Sequence, residues 1–468
     1  MLSSRPAAAV LAVVIVVIAA CAAFAEGATG LSPGEIKELR ESFELDAGAR
    51  ALLNAVTNNN DTRKLTYNRE ILLHHDDVYD FKLDAKGITD QKQSGRCWLF
   101  AGFNVMRPAV RKRYNIENFE FSESHLFFWD KLEKANMFLE AIIETRDRDI
   151  DDRELQTLLE NPVPDGGWWS YVVTLIDKYG AVPKSVMPET EHSSSTKNMN
   201  ALLDRLMRSD AAKLRRLAAD GEEVSALHDL KKEMLKDVYR ILAFHLGVPP
   251  ERFTWRFEDK DDNIVEQEYT PLSFYREAVG VDLSEYVSIF DHPAHPYGKY
   301  YRIRYCRNMT GAPDMDFINM DIAHLKKFAL DAVMEGEPVW FSADVGKGND
   351  GEHGILAVGM YDYGALFGID PALTKAERVQ YRGSTPNHAM VLIGVDIDDG
   401  KPVKWLVENS WGTDRGDKGR WAMYDDWFDE YVYTVIIHKR YLPGDVLDLL
   451  DTEPEILPAW DQMREAFR

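Results

Sequence analysis

The stretch of sequence that is most informative about the fold is Gln91-Lys92-Gln93-Ser94-Gly95-Arg96-Cys97-Trp98. Apolar residues at helical spacing follow from Cys97 to Val105, so the sequence predicts that Cys97 lies on the first turn of a helix. A helix N-terminus carries partial positive charge and free N–H groups, and both favour a thiolate. Cys97 is therefore a candidate nucleophile. The alternative is an ordinary buried cysteine.

A thiol nucleophile needs a base, and the base needs a group that orients it. Asn387-His388-Ala389 precedes an apolar run that ends at Val395, which puts His388 at the entry to a predicted strand. Asn409-Ser410-Trp411-Gly412 follows a second predicted strand. Two adjacent strands would bring Asn409 beside His388, where its side-chain oxygen accepts from the ring N–H and fixes which nitrogen faces the thiol. Trp411 would shield that bond from water.

The chain between Gln91 and Cys97 is long enough to fold back on itself. The Gln91 amide and the Cys97 backbone N–H would then bind a developing oxyanion together. Taken separately, His388 is compatible with a structural role, and Asn-Ser-Trp-Gly with a plain turn. The order Cys97, His388, Asn409 along one chain is far more specific than any of its parts.

The composition restricts the function classes. The chain has 468 residues, 45% apolar and 11% aromatic, which excludes a disordered protein and predicts one large core with insertions, or two to three modules. The formal net charge is −23, with no block of basic residues. Nucleic acid and anionic lipid need clustered Lys and Arg, so we expect neither as a partner.

The chain begins with an apolar segment typical of export. Ala7 to Ala23 is an unbroken run of apolar and small residues, and Ala23-Phe24-Ala25 has the pattern of a signal-peptide cleavage site. A second interpretation is a lipobox, Ile18-Ala19-Ala20-Cys21, which would leave Cys21 as a lipid anchor. Both predict an exported protein that is periplasmic, secreted or lipid-anchored. The run is slightly short for a stable membrane span, and no later segment is a candidate.

The order of secondary-structure signals predicts an α+β fold. Ser32 is a predicted N-cap with Pro33 at the first helical position, and Leu227 to Ile241 has the spacing of an amphipathic helix within a charge-rich insertion. The last third is strand-like. Its predicted strands are Val339 to Ala343, Ala389 to Val395, Trp405 to Val407, Trp421 to Tyr424 and Val432 to His438.

Neither a metal site nor a cofactor is predicted. Asp259 to Asn263 opens like a calcium loop, but Ile264 replaces the required glycine. His292 and His295 lie in a proline-rich loop, so we expect them to be surface residues. Besides Cys21 and Cys97 the chain has only Cys306, which is too few cysteines for a disulfide framework.

The motifs around Cys97, His388 and Asn409 resemble those of the papain superfamily. Ser94-Gly95-Arg96-Cys97-Trp98-Leu99-Phe100 is more similar to the bleomycin hydrolase / aminopeptidase C family within it. The resemblance covers residues 31 to 468, and its supporting segments are Arg40 to Leu45, Gly87 to Lys92, Leu126 to Lys131, Asp165-Gly166-Gly167, Asp344 to Lys347 and Leu457 to Asp461.

The resemblance implies a papain-like fold with a helical lobe, a β-barrel-like lobe and the site between them. Its expected divisions are a signal segment at 1–25, an N-terminal arm at 26–86, the helical lobe at 87–194, a helical insertion at 195–310, the β-rich lobe at 311–445 and a tail at 446–468. Trp98 and Trp411 would support the site. Members of the family similar to this chain assemble as homohexamers whose sites face an internal chamber.

In that family the C-terminal tail lies in the cleft, and its carboxylate meets the substrate's N-terminal ammonium group, which makes the enzyme an aminopeptidase. Here the tail ends in Arg468, and its charge departs from the usual apolar ending. Gly166 and Gly167 would pair with the substrate main chain, although a plain turn is an alternative.

The sequence thus predicts a cysteine aminopeptidase that removes N-terminal residues from short peptides by a Cys-His-Asn acyl-enzyme mechanism. The alternatives are a papain-like endopeptidase with an open cleft, or a non-catalytic assembly or binding protein that keeps the fold.

Overall fold

A computed structural model of the protein describes residues 30–59 and 61–464. The chain divides into two compact units, residues 1–67 and 68–468. The predicted signal segment, the alternative lipid anchor at Cys21 and the terminal Arg468 lie outside the described residues.

The first unit contains three helices: α1 (Pro33–Ser42), α2 (Ala47–Thr57) and α3 (Arg63–Thr66). Ser32 caps α1 as predicted, because its Oγ accepts from the Glu35 N–H while the Glu35 carboxylate accepts from the Ser32 N–H. This capping box satisfies two backbone donors that the first turn would otherwise leave unpaired. Neither α1 nor α2 buries a side chain.

The helices of the second unit lie mainly in its first half. They are α4 (Arg69–Leu73), α5 (Cys97–Arg113), α6 (Glu123–Glu144), α7 (Arg153–Glu160), α8 (Trp169–Tyr179), α9 (Glu191–Ser194), α10 (Lys197–Ala219), α11 (Val224–Leu246), α12 (Pro271–Ser273), α13 (Ile322–Met334), α14 (Tyr363–Phe367), α15 (Lys375–Gln380), α16 (Asp425–Tyr431) and α17 (Gly444–Leu447). A π-helical turn covers Phe274–Val279, and 3₁₀ turns cover Leu283–Glu285, Lys439–Tyr441 and Asp448–Asp451.

The strands concentrate in the second half of the same unit. They are β1 (Phe81–Lys82), β2 (Phe253–Glu258), β3 (Ile264–Tyr269), β4 (Tyr286–Phe290), β5 (Lys299–Ile303), β6 (Asp316–Asn319), β7 (Val339–Ala343), β8 (Asn349–Asp350), β9 (Ile355–Leu356), β10 (His388–Asp398), β11 (Lys401–Glu408), β12 (Arg420–Tyr424), β13 (Val432–His438) and β14 (Glu455–Leu457).

Twelve strands form one sheet. Its order is β14-β5-β6-β4-β13-β7-β10-β11-β12-β9-β8, and β1 pairs with β10; β2 and β3 form a separate hairpin. The pairs around the site, β7 with β10 and β10 with β11, are antiparallel. The predicted α+β, papain-like class is confirmed, with helices gathered before a mostly antiparallel sheet.

The central strand β10 is buried on both faces at the end nearest the site. Helix α5 packs on one face, and α13 packs on the other, against β10 and β13. A strand that is covered on both faces has a continuous apolar sequence, without alternating polar residues, and this explains the sequence from Ala389 to Val395. This arrangement holds the start of α5 against the start of β10.

The segment predicted as a helical insertion, residues 195–310, opens with the helix pair α10 and α11. The apolar stripe of α11 faces the core, with Leu227, Met234 and Val238 buried, and both helices pack on α6. Beyond Leu246 the segment changes character. It contains the β2–β3 hairpin and then β4 and β5, which belong to the large sheet.

Candidate active site

Cys97 is the first residue of α5 and is buried, with 3% of its surface exposed. Backbone N–H groups of Ala389, Trp98 and Cys97 itself lie near the sulfur and favour its charged form. Burial raises the pKa of the thiol to about 12, and those N–H groups oppose the rise. The helix terminus thus supplies donors to a developing thiolate, but the thiol keeps its proton until a base removes it.

The N-cap Arg96 holds the loop before the nucleophile. Its guanidinium makes a two-pronged ion pair with Glu189, at 3.1 and 2.7 Å, and its Nε donates to Ser94 Oγ at 3.0 Å. Arg96 itself is fully buried. The Arg96 side chain makes no capping bond, because a guanidinium has no acceptor, so it leaves the first N–H groups of α5 available to other acceptors.

His388 begins β10, and its ring is oriented by Asn409. The His388 Nε2–H donates to Asn409 Oδ1 at 2.7 Å, which leaves Nδ1 as the ring nitrogen free to take a proton. The β10–β11 pairing produces this contact, since Asn409 directly follows the end of β11. Burial lowers the pKa of His388 to about 4, although the hydrogen bond that its ring donates to Asn409 opposes this. The imidazole is therefore neutral at neutral pH.

Trp411 covers the His388–Asn409 contact. Its ring lies 4.6 Å from the His388 ring, centroid to centroid, at an interplanar angle of 31°. Asn409 is fully buried, and its Oδ1 also accepts from the Ser410 N–H at 2.7 Å. The amide is thereby fixed with its oxygen towards His388, as the sequence predicted.

Gln91 lies beside Cys97 and is held at both ends of its amide. Its Oε1 accepts from Ser410 Oγ at 2.7 Å, and its Nε2 donates to the Ser94 carbonyl at 2.6 Å. The amide nitrogen has two hydrogens, so one remains for another acceptor. Gln91, Cys97, His388 and Trp411 all line one cleft of about 560 Å³.

Asp165 is a residue of this cleft to which the sequence gave no separate role. Its carboxylate pairs with Lys131 at 2.7 Å and accepts from the Gly95 N–H, Thr196 Oγ1 and Asn200 Nδ2. Burial alone would raise the pKa of Asp165, but Lys131 and these donors hold it well below its usual range. A fixed anion therefore anchors the backbone two residues before Cys97. The adjacent Gly166-Gly167 was the only local signal that could have singled it out.

Gly166 and Gly167 line a cavity beside the cleft, and the Gly166 backbone already has a partner in the protein. The Gly166 carbonyl accepts from Lys134 Nζ at 2.7 Å. A Cβ on Gly167 would meet the Trp98 ring at 2.7 Å, so glycine is required there for packing against the residue that follows the nucleophile. Pairing of this backbone with a substrate stays a prediction.

The described end of the tail reaches the same region. Met463 is fully buried, and Arg464 donates to the Tyr305 carbonyl at 3.3 Å. Arg464 lines a small cavity together with Gly166 and Gly167, and this cavity shares Asn161 and Pro164 with the cleft of Cys97. The role predicted for Arg468 falls on a residue outside the described ones.

Cys97 and Cys306 are both free thiols. Cys306 is buried next to the Tyr171 hydroxyl, 3.6 Å from its sulfur, and burial raises the pKa of this thiol to about 12. The groups that oppose this rise in the pKa of Cys306 are Arg464 and the Tyr171 hydroxyl, not backbone N–H groups like those near Cys97. Of the two described cysteines, only Cys97 therefore has the surroundings of a nucleophile.

A thiol at a helix N-terminus, beside a histidine oriented by an asparagine, on this fold defines a papain-like cysteine peptidase. Residues 30–464 match the peptidase C1-like family, and the chain belongs to it. It is 42% identical to aminopeptidase C from Streptococcus thermophilus, across 93% of this chain and 98% of that protein. It is 41% identical to bleomycin hydrolase from Rattus norvegicus, across 81% and 86% of the two chains.

Among solved structures, that of PepW from Lactobacillus rhamnosis superposes with a TM-score of 0.90 at 40% identity, across 93% of this chain and 99% of PepW. The chain is thus a cysteine-type aminopeptidase of the bleomycin hydrolase / aminopeptidase C family, as its motifs indicated.

Proposed function

We propose that the protein cleaves N-terminal residues from short peptides through an acyl-enzyme on Cys97. His388 Nδ1 takes the thiol proton as the sulfur attacks the peptide carbonyl, and then gives it to the leaving amine. A water molecule, deprotonated by the same nitrogen, releases the acyl group. The observation that carries this proposal is the 2.7 Å bond from His388 Nε2–H to Asn409 Oδ1, which leaves Nδ1 as the reactive nitrogen.

The tetrahedral intermediate carries a negative oxygen that needs donors. The free hydrogen of the Gln91 amide and the backbone N–H of Cys97 are the two donors we assign to it, since both groups line the cleft. Removal of one such donor typically lowers kcat by about 10²–10³-fold. We therefore expect a loss of that order for Gln91→Ala, with little change in KM.

The first test replaces the nucleophile. Cys97→Ala is expected to abolish release of amino acids from peptides, while circular dichroism and the melting temperature stay close to wild type because only one sulfur is lost. Cys306→Ala is the matched control, since it removes the other buried thiol and should keep the catalytic steps intact. Turnover by Cys97→Ala at the wild-type rate would refute the mechanism.

The tail is the feature we propose for exopeptidase selectivity. The supporting observation is that its described part ends at Arg464, which lines a cavity that adjoins the cleft. A terminal carboxylate would attract the substrate's ammonium group, whereas Arg464 and Arg468 would repel it. Steric closure of the cleft is therefore the stronger part of the proposal.

A pair of substrates separates this proposal from an open-cleft endopeptidase. Each peptide is assayed with a free amine and with an N-acetyl group, on wild type and on a chain shortened after Arg464. We expect wild type to prefer the free amine strongly and the shortened chain to lose that preference. Equal rates on both peptides with wild type would exclude the tail's role and leave the endopeptidase.

A protein that keeps the fold without catalysis is the alternative from a different class. It predicts a Cys97 thiol that reacts with an alkylating reagent no faster than free cysteine at neutral pH. The proposed enzyme predicts faster labelling, because His388 takes the thiol proton as the sulfur attacks the reagent and the backbone N–H groups stabilise the charge that develops on sulfur. The labelled residue is identified by mass spectrometry of the digested protein.

We propose self-association as a homohexamer, which the family resemblance implied. The supporting observation is apolar exposure in the first unit, where Leu31 is 65% exposed, Leu39 56% and Phe43 63%. Side chains of this type that no other part of the described unit covers are typical of assembly surfaces. Light scattering after size exclusion should report six chains for wild type, and fewer for Leu39→Asp combined with Phe43→Asp.

Export is likewise a proposal, supported by the apolar run from Ala7 to Ala23 and its small-residue ending. Peptide substrates would then be met outside the cytoplasm. Mass spectrometry of the mature protein distinguishes cleavage after Ala25 from a lipid on Cys21, and an unprocessed Met1 would contradict both. Among the described residues, no helix combines the length and apolarity needed to cross a bilayer.

A further inference from the structure

His292, His295 and Asp461 form a cluster that the proposed mechanism does not use. The Nε2 of His292 is 3.2 Å from one oxygen of Asp461, and the Nε2 of His295 is 3.2 Å from the other. One donor atom from each of the three residues lies within 4.8 Å of the other two. The two histidines come from the loop between β4 and β5, whereas Asp461 belongs to the C-terminal tail.

The cluster is buried more deeply than a surface loop would allow. His292 is fully buried and Asp461 is 4% exposed, so the prediction that both histidines are surface residues is wrong for His292. His295 retains 28% exposure of its side chain, which opens one side to solvent. Asn319 explains the burial, because its amide binds the backbone of His292 and His295 and turns this loop onto the sheet.

The Asp461 carboxylate is a buried anion without a basic partner of the usual kind. Its ion pairs within residues 30–59 and 61–464 are with the two imidazoles, and none is with Lys or Arg. The remaining bond to its oxygens comes from the Met463 N–H at 2.9 Å. Buried carboxylates are normally balanced by a paired cation or by a metal ion.

The spacing of the donor atoms fits a small divalent cation. Bonds of 2.0–2.1 Å from zinc to nitrogen and oxygen place the corners of a tetrahedron about 3.3 Å apart. One carboxylate oxygen of Asp461, Oδ2, lies 3.4 Å from His292 Nε2 and 3.2 Å from His295 Nε2, and both separations agree with this edge. Two imidazoles and one carboxylate are ligands that zinc accepts, and the exposed side of His295 leaves a fourth position for water.

We propose that His292, His295 and Asp461 bind a zinc-type divalent cation that fastens the C-terminal tail to the β4–β5 loop. Asp461 lies three residues before Arg464, which lines the cavity with Gly166 and Gly167. The ion would therefore hold the tail just before it approaches the cleft. Binding of the ion does not depend on the proposed peptide chemistry, so the two proposals can fail separately.

The competing explanation for the same distances is a purely hydrogen-bonded cluster, in which both Nε2–H groups donate to Asp461. That cluster would stabilise the tail equally with and without metal. A second histidine pair, His192 and His245, provides a control. Its rings are also 4.4 Å apart, but no carboxylate among residues 30–59 and 61–464 completes a three-ligand group there.

The test titrates ZnCl₂ into chelator-stripped full-length protein by calorimetry, and follows the melting temperature in parallel. All variants carry Cys97→Ala, so that the active-site thiolate cannot bind the metal. We expect one zinc per chain and a higher melting temperature with zinc. His295→Gln and Asp461→Asn should each weaken binding by at least about 100-fold, since even indirect partners of a metal site cost 10–100-fold. His192→Gln should bind as tightly as its parent.

The proposal is overturned if the Cys97→Ala protein takes up no zinc, or if His295→Gln and Asp461→Asn bind it as tightly as the parent. It is also overturned if both variants lower the melting temperature by the same amount with and without zinc, because that result identifies the hydrogen-bonded cluster. His295 is partly exposed, so His295→Gln keeps the test available should Asp461→Asn fail to fold.

Discussion

A buried ion pair joins the helix of Cys97 to the strand that precedes Asn409. Arg107, on α5, donates through one guanidinium nitrogen to both carboxylate oxygens of Glu408, at 2.6 and 2.8 Å. The side chains are 2% and 1% exposed. Arg107 also donates to Asn104 Oδ1 at 2.8 Å, so its charge is held in place from two sides.

Removal of either charge leaves the other buried and unpaired, which typically costs about 3–5 kcal/mol. We expect this cost for both Glu408→Gln and Arg107→Met. Unfolding entropy is about 2.1 cal/mol/K per residue near 60 °C, so for a unit of about 400 residues that cost lowers the melting temperature by about 4–6 °C. The loss in Arg107→Met should shrink as the pH falls, because the orphaned Glu408 can then take a proton.

The double variant Arg107→Met with Glu408→Gln is expected to be much less destabilised than the sum of the single ones. Burial raises the pKa of Glu408 in spite of Arg107, which indicates that desolvation outweighs the attraction between the charges. The pair is therefore costly to break but contributes little beyond a well-packed neutral pair. The coupling in this double-mutant cycle should be at least about 2 kcal/mol.

Scanning calorimetry of the four proteins at pH 7 measures the effect, with kcat/KM as a second readout. Asn409 directly follows Glu408, so we expect the single variants to lose activity as well as stability. The reasoning is refuted if each single variant melts within 1 °C of wild type, or if the single effects simply add in the double variant.

Three further predictions concern other buried groups. Gly167→Ala should destabilise the protein by about 1–3 kcal/mol and lower kcat, because the new Cβ would meet the Trp98 ring at 2.7 Å. Gly34→Ala is the control, since a Cβ there has no atom closer than 3.9 Å. Equal shifts in the melting temperatures of the two variants would disprove the packing argument. The acid limb of the kcat/KM profile should have its midpoint near pH 4, the lowered pKa of His388, because the neutral ring is the base and protonation of the ring stops it from accepting the thiol proton. A midpoint near pH 6.5 would contradict the effect of burial on this pKa. Burial, with the Glu189 carboxylate nearby, raises the pKa of Glu123 from 4.5 to about 8. The contribution of the protonated Glu123 carboxyl to the stability of the fold is therefore complete below pH 4.5 and is lost as the pH rises through 8. Glu123→Gln should therefore gain stability over wild type as the pH rises, by an amount of the order of 4 kcal/mol at pH 9, and urea midpoints that differ equally at pH 5 and pH 9 would argue against it.

The helix of Cys97 and the strands that flank His388 and Asn409 were predictable because their signals are local. The structure starts α5 at Cys97, and it begins β10 at His388, one residue before the run predicted from Ala389. The bounds predicted for Val339–Ala343 and Val432–His438 agree with β7 and β13. Each of these segments is buried on most of its length, so its own apolar pattern is enough to reveal it.

Short strands at the edge of the large sheet were not predicted. β5 and β14 pair with each other although more than 150 residues separate them, and each is only a few residues long. Such strands form because a neighbouring strand already offers its backbone, and no window of local sequence records that neighbour. His292 was misjudged for the same reason, since its burial depends on contacts with Asn319 and Asp461, which lie far from it along the chain.

The sequence by itself determined the chemistry that is available: a cysteine at a helix start, a histidine at a strand entry and an asparagine after the next strand, in an order typical of one family. The tertiary structure alone decided which polar groups meet, such as Asp165 with Lys131, Glu408 with Arg107, and Asp461 with two histidines. The physical reason is the distance along the chain over which each kind of interaction acts. Helix and strand signals arise from neighbours along the chain, whereas a buried charge takes whichever partner the completed fold brings to it.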